Sequence, residues 1–231
     1  NDPPVIMDQQ NIFIDQMNVL IKTERENVDI YYTTDGSDPN KKSQAVTDGL
    51  MITETSLVTA QNFRDGIPVS GTTRALFTKV LPHPGVRINR AERGLYYEYF
   101  EGSWDSLPDF NKLNKVKTGV IPNIDISDRA RDNNFGFVFE GLILIQEKGV
   151  YSFYTDSDDG SQLFIGDNLV VDNDGLHSMT EAKGSVALDT GYHPIRVTYF
   201  EKGGGNSLEV YYDNARFEKR SIPDNLLFHI K

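Results

Sequence analysis

The 231-residue chain has no cysteine and only one tryptophan. Without thiols it can form no disulfide, thiolate zinc site, iron–sulfur cluster or cysteine nucleophile. It is also short of positive charge: 23 Lys and Arg face 34 Asp and Glu, a net −11. Nucleic-acid binding needs clustered basic residues that release counterions, so that balance argues against it and favours cations or neutral ligands such as sugars. No apolar run approaches the ~20 residues of a membrane-spanning helix. There is no Gly-x-Ser-x-Gly elbow, no phosphate-binding glycine loop and no His-Glu-x-x-His string. The four histidines, His83, His177, His193 and His229, share no metal-site spacing. The chain starts Asn1-Asp2-Pro3-Pro4, without Met or an apolar leader, and lacks any Asn-x-Ser/Thr sequon. It therefore reads as a processed or excised piece of a larger protein, compatible with a bacterial source.

What is present reads as all-β. Val28, Ile30 and Tyr32 alternate with polar neighbours, as do Ile195, Val197 and Tyr199, and Leu208, Val210 and Tyr212; Phe135, Phe137 and Phe139 repeat at the same period. A period of two puts one set of side chains on each sheet face. Asp-Gly pairs at 35–36, 48–49, 65–66, 159–160 and 174–175 mark turns between strands. Only 107–113 and 223–228 suggest single helical turns. Leu81-Pro82-His83-Pro84-Gly85 reads as a stiff break. The expected layout is a β-sandwich over residues 1–82, a Pro/Gly linker at 83–92 and a second β domain at 93–231.

Two stretches carry family resemblances. Val28-Asp29-Ile30-Tyr31-Tyr32-Thr33-Thr34-Asp35-Gly36-Ser37-Asp38-Pro39, followed by Ser56–Ala60 and Asp65-Gly66, resembles the small Ig/fibronectin-like sandwich near the C-terminus of chitobiase and β-hexosaminidase-type glycosidases. Residues 93–230 resemble the PA14 domain, a β-sandwich or barrel. The match rests on Gly94–Phe100, Thr118–Pro122, Asn134–Gly141, the run Gly149-Val150-Tyr151-Ser152-Phe153-Tyr154-Thr155-Asp156-Ser157-Asp158-Asp159-Gly160, and Gly191–Ile195. The pairing implies a non-catalytic, carbohydrate-binding accessory region of an exported bacterial glycoside hydrolase, such as a β-N-acetylhexosaminidase or fucosidase. Its partners would be a glycan and the catalytic domain of the same parent chain, in the periplasm or at the cell surface. The alternative is a structural module that packs on that catalytic domain or on an oligomer interface.

The resemblance also implies a site. Asp158 and Asp159 fall where sugar-binding fungal PA14 members hold Ca²⁺ against sugar hydroxyls, with Glu201 and Asn206 as the nearest completing ligands. Ca²⁺ takes six to eight oxygens, so two carboxylates alone are insufficient. The competing reading has both aspartates capping turn backbone. Neither 156–161 nor 172–176 fits an EF-hand, which needs an oxygen ligand at its fifth position, where Gly160 and Leu176 stand. Trp104 is a candidate for stacking on a sugar face, against the alternative of lying over the core edge. His177 is a further candidate sugar contact beside the acidic loops. Nothing in the sequence points to a catalytic residue within this region.

Overall fold

A computed structural model describes residues 2–7 and 11–230. Asn1, on which the expectation of a processed start rests, lies outside the described residues. The chain divides into two compact units, Asn1–Leu81 and Pro82–Lys231. The 83–92 stretch, expected as a linker, is bonded into the second unit: His83 N donates to Ala187 O and Val86 N to Tyr192 O, at 2.8 and 2.7 Å. Prolines at 82 and 84 keep the backbone extended, and an extended backbone is what an added strand-like bridge requires.

The first unit runs through β1 (Val5–Ile6), β2 (Ile12–Phe13), β3 (Met17–Val19), β4 (Ile21–Lys22), β5 (Asp29–Thr33), β6 (Gln44–Ala45), β7 (Leu50–Ile52), β8 (Ser56–Arg64) and β9 (Ile67–Lys79). Its main sheet has the order β2-β9-β8-β5-β6, with β1-β4 and β3-β7 as two-stranded pairs. Arg64 pairs with Ile67 across a two-residue loop, Asp65-Gly66, in which both residues have positive φ (53° and 76°). That is the turn whose twist matches its strands, and it explains the Asp-Gly pair there. Phe13, Val19, Ile21, Leu50, Ile52, Val58, Ala60 and Phe77 form the core.

The second unit contains β10 (Ala91–Arg93), β11 (Leu95–Glu101), β12 (Lys117–Ile121), β13 (Phe135–Ile145), β14 (Gly149–Asp158), β15 (Ser161–Ile165), β16 (Asn168–Asn173), β17 (Thr180–Leu188), β18 (Gly191–Glu201), β19 (Ser207–Asn214), β20 (Phe217–Ser221) and β21 (Leu227–Ile230). Short 3-10 turns at Phe110–Lys112 and Asp224–Leu226 fall within the two stretches expected to be helical. One sheet has the order β10-β21-β13-β18-β15-β16, with β11 on β13 and β12 on β11; the other is β17-β14-β19-β20. Between them lies an aromatic core that includes Tyr99, Phe135, Phe137, Phe139, Phe153, Tyr199 and Tyr212. Full burial of each such ring contributes about 1.5–3 kcal/mol, and here they replace the disulfides the chain cannot make. Strand β13 is buried on both faces, because Val138 packs with Phe100 and Phe110 in a separate outer cluster. Among the chain's several changes of sheet, those at β14–β15 and β18–β19 bring residues 158–161 and 201–207 to the same end of the sandwich.

Candidate functional site

The site is built where those two crossings meet. Asp158 ends β14 and is joined to Asp159 by a cis peptide. Asp159 is buried, and both carboxylate oxygens act on loop backbone: Oδ1 accepts from His177 N at 3.1 Å and Oδ2 from Lys202 N at 3.0 Å. Gly160 follows because nothing larger fits; a Cβ there would lie 2.5 Å from the Phe200 ring and 2.8 Å from the Gly175 backbone. Gly205 is close to a side chain and not to backbone, with an added Cβ 2.8 Å from Asp158 Oδ2.

Glu201 closes the group from β18. Its side chain is fully buried, and its Oε1 has no hydrogen-bond partner among the described residues. Oxygens of Asp158, Asp159 and Glu201 all lie within 4.8 Å of one another. Burial, then the charges of Asp159 and Asp158, push the Glu201 carboxyl up to about 7. Burial and the neighbouring Asp159 also raise Asp158. Tyr199, two residues before Glu201 and so on the same strand face, donates from its hydroxyl to Asp158 O at 2.5 Å. Burial raises its pKa far above the ordinary phenol range. Beneath the aspartates, the Ser157 and Ser161 hydroxyls lie 2.7 Å apart, and Asn173 Nδ2 donates to Ser157 Oγ and to Thr180 O.

The arrangement suits a hard cation. Three convergent carboxylates are costly in a buried site unless protonated or neutralised. The donors are all oxygen, the type taken by Ca²⁺ or Mg²⁺. An orphaned buried carboxylate oxygen is what such an ion would satisfy.

The other residues singled out from sequence sit around this cluster. Asn206 is half-buried, and its Nδ2 donates to Asp132 O at 3.2 Å. The ring nitrogens of His177 lie 3.0 Å from the Ser178 and Asn173 carbonyls, so the imidazole braces its own loop. Trp104 is half-buried and meets Phe110 edge to face, with ring centroids 6.1 Å apart. Its segment nonetheless borders the site, through Asp105–Lys202 at 2.5 Å and Leu107 N to Asp174 Oδ1 at 2.7 Å. Tyr199, Ser157, Ser161 and Asn173 were not marked by sequence reasoning. Only the period-two register joining Tyr199 to Glu201 could have flagged the tyrosine.

Comparison with known proteins decides the family. The PA14 domain profile matches residues 92–226, and an "Fn3 associated" profile matches residues 19–76. The chain belongs to the PA14 domain family. The beta-hexosaminidase of Porphyromonas gingivalis strain W83 is 24% identical over 196 residues, covering 81% of this chain and 25% of that protein. The chain thus spans about a quarter of the length of the curated relatives it matches. Among solved structures, the PA14 sugar-binding domain of an RTX adhesin aligns with TM-score 0.51 and 16% identity, over 59% of this chain and 98% of its own. The epithelial adhesin 9 A domain of Candida glabrata, in complex with Galβ1-3GlcNAc, gives TM-score 0.53 and 15% identity, covering 66% and 97%. At such identities these neighbours establish the shared PA14 β-sandwich fold.

Proposed function

We propose that this chain is a carbohydrate-binding accessory region of a bacterial glycoside hydrolase of the β-hexosaminidase kind, exported to the periplasm or cell surface, and that it holds glycans through Ca²⁺ at the Asp158–Asp159–Glu201 pole. The observation that carries the reading is the buried, unpartnered Glu201 Oε1 beside two further carboxylates. Asp158, Asp159 and Glu201 would hold the ion, and Asn206 borders the same loop. Bound Ca²⁺ supplies open coordination positions that vicinal sugar hydroxyls can fill. Asp159 anchors the 174–179 and 202–206 loops by their backbone, which fixes the walls of the sugar site. The PA14 relatives named above, one described as sugar-binding and one complexed with a disaccharide, support the ligand class. The catalytic partner is inferred from the hexosaminidase relative, which is far longer than this chain.

The test is isothermal titration of Ca²⁺, then of a glycan array, into protein stripped of metal. Calcium-dependent glycan binding that Asp158→Asn removes supports the reading. Glycan binding unchanged by chelator overturns the calcium part, and no glycan binding at all overturns the whole.

A second reading is favoured by the cross-strand pair Tyr96 and Val120, 46% and 49% exposed on the outer face of the large sheet. Here that face packs on the parent's catalytic domain. Tail deletion that leaves the parent enzyme's stability and substrate range unchanged would sink it.

A further inference from the structure

The opposite end of the same sandwich carries a different chemistry. Strand β14 runs from there to Asp158, and Tyr151 near its start is about 23 Å from Asp158 along the strand. Around Tyr151 lies a concave pocket of about 220 Å³. Ligands of drug size fill roughly 300–1,000 Å³, so this space holds something nearer one ring with its substituents. Its floor is set by the buried Tyr151 and Tyr212, which stack at 6.4 Å, and half-buried Phe217 meets Tyr212 at 4.8 Å, beside Leu144, Ile145 and Leu226. Arg216 and Arg220 stand in its lining against one acid, Glu147, so the lining carries 2 − 1 = +1 in a chain of net −11.

The two arginines differ. Arg216 is ion-paired with Glu147 at 2.5 Å. Arg220 has no ion pair among the described residues; its guanidinium sits 3.9 Å from the centre of the Phe217 ring and donates to Tyr212 Oη at 3.3 Å. Stacking and that hydrogen bond hold the planar fork in place, and a fixed guanidinium loses less freedom when it meets a carboxylate. The turn beneath is set by Asn214 Oδ1, which accepts from Arg216 N at 2.8 Å and Phe217 N at 3.2 Å. An oriented cation without a counter-ion, beside a ring-sized aromatic pocket, calls for a small anion on a ring.

We infer that this pocket is a second ligand site, independent of the acidic pole, that binds a carboxylated monosaccharide unit, with the ligand's carboxylate on Arg220 and its ring beside Phe217. Glycans with uronic acid residues offer that unit. The second site would let one PA14 sandwich contact an acidic glycan at both ends.

The test uses the full chain with EDTA throughout, so that the cation site is silent and failure here is separable from failure of the calcium reading. Glucuronate, glucose and acetate are titrated while backbone and arginine Nε–Hε NMR signals are followed. Saturable glucuronate shifts at Tyr212, Phe217 and Arg220, absent with glucose, support the site. Arg220→Gln, with its fold checked by melting temperature, is expected to weaken glucuronate by about tenfold or more; Arg220→Lys keeps the charge but not the stacked fork and falls between. Equal response to glucose removes the charge recognition, and acetate binding as tightly as glucuronate removes the ring. Shifts unaffected by Arg220→Gln, or none at all, overturn the proposal.

Discussion

The two ends of the PA14 sandwich solve opposite electrostatic problems. At one, Asp158, Asp159 and Glu201 crowd negative charge into a buried corner, and a carboxylate oxygen goes unpaired. At the other, Arg220 rests on an aromatic face at the mouth of a small pocket. The first is under-satisfied until something positive arrives. The second is comfortable empty, because the ring face already stabilises the guanidinium. The contrast teaches that occupancy should alter stability strongly at the acidic end and weakly at the basic end.

The broadest perturbation strikes the core both ends share. Phe137→Ala, at a fully buried ring, is expected to cost about 3–5 kcal/mol in urea unfolding. Both ends should lose ligand in parallel as the fold melts; loss at one end alone would show that they are not carried on one cooperative unit. Next is Asp159→Ala, which strands the His177 and Lys202 amides. About 1.5–3 kcal/mol of hydrogen bonding to a charged group is at stake, offset in part by relief of repulsion. Ca²⁺ affinity in calorimetry should fall about a hundredfold or more, while glucuronate shifts at the other end stay as they are.

Asn173→Ala removes the amide shared by Ser157 and Thr180 and should cost about 1–3 kcal/mol, read by thermal melting.

A pH series probes Glu201, with Asp158 raised in the same direction. Its pKa is raised in the folded state, so the folded protein binds more protons than the unfolded chain between about 4.5 and 7. The stability of the metal-free protein should therefore fall as pH rises through that window and level off above it. Glu201→Gln should flatten this fall and raise the metal-free melting temperature at pH 8, and added Ca²⁺ should do the same for the native protein. A native profile identical to that of Glu201→Gln would break the contrast between the ends. The smallest effect belongs to Gly205→Ala, whose new methyl group meets a side-chain oxygen that can swing aside. About 1 kcal/mol or less is expected in stability, with a measurable drop in Ca²⁺ affinity.

Much of the fold was legible. Alternation gave the buried faces of β18 and β19, and Asp65-Gly66 gave the two-residue hairpin, because both signals are local. The acidic end was legible from Asp158-Asp159-Gly160 through family resemblance, and Glu201 from its place just before the late loop, at the end of β18. The roles of Tyr199, Asn173 and Lys202 N were not, since they depend on two sheet crossings meeting in space. Trp104 was open to two readings, sugar stacking or the core edge, and only Phe110, brought over by the following 3-10 turn, shows what half-covers its ring. The basic end was invisible because its residues, Tyr151, Glu147, Tyr212 and Arg220, are ordinary strand and turn residues far apart in the chain.

Strand β20 has one more consequence. It is the outermost strand of its sheet, so one row of its backbone groups lacks a strand neighbour. Its sequence there is Glu218-Lys219-Arg220, all exposed. A border lined with charge resists the strand-by-strand stacking that turns β proteins into fibres. Arg220 thus stands in two places at once, at the lip of a pocket and on the rim that keeps copies of this chain from growing onto one another. Replacing it with an apolar residue should be read first for solubility, because the open border would notice before the pocket did.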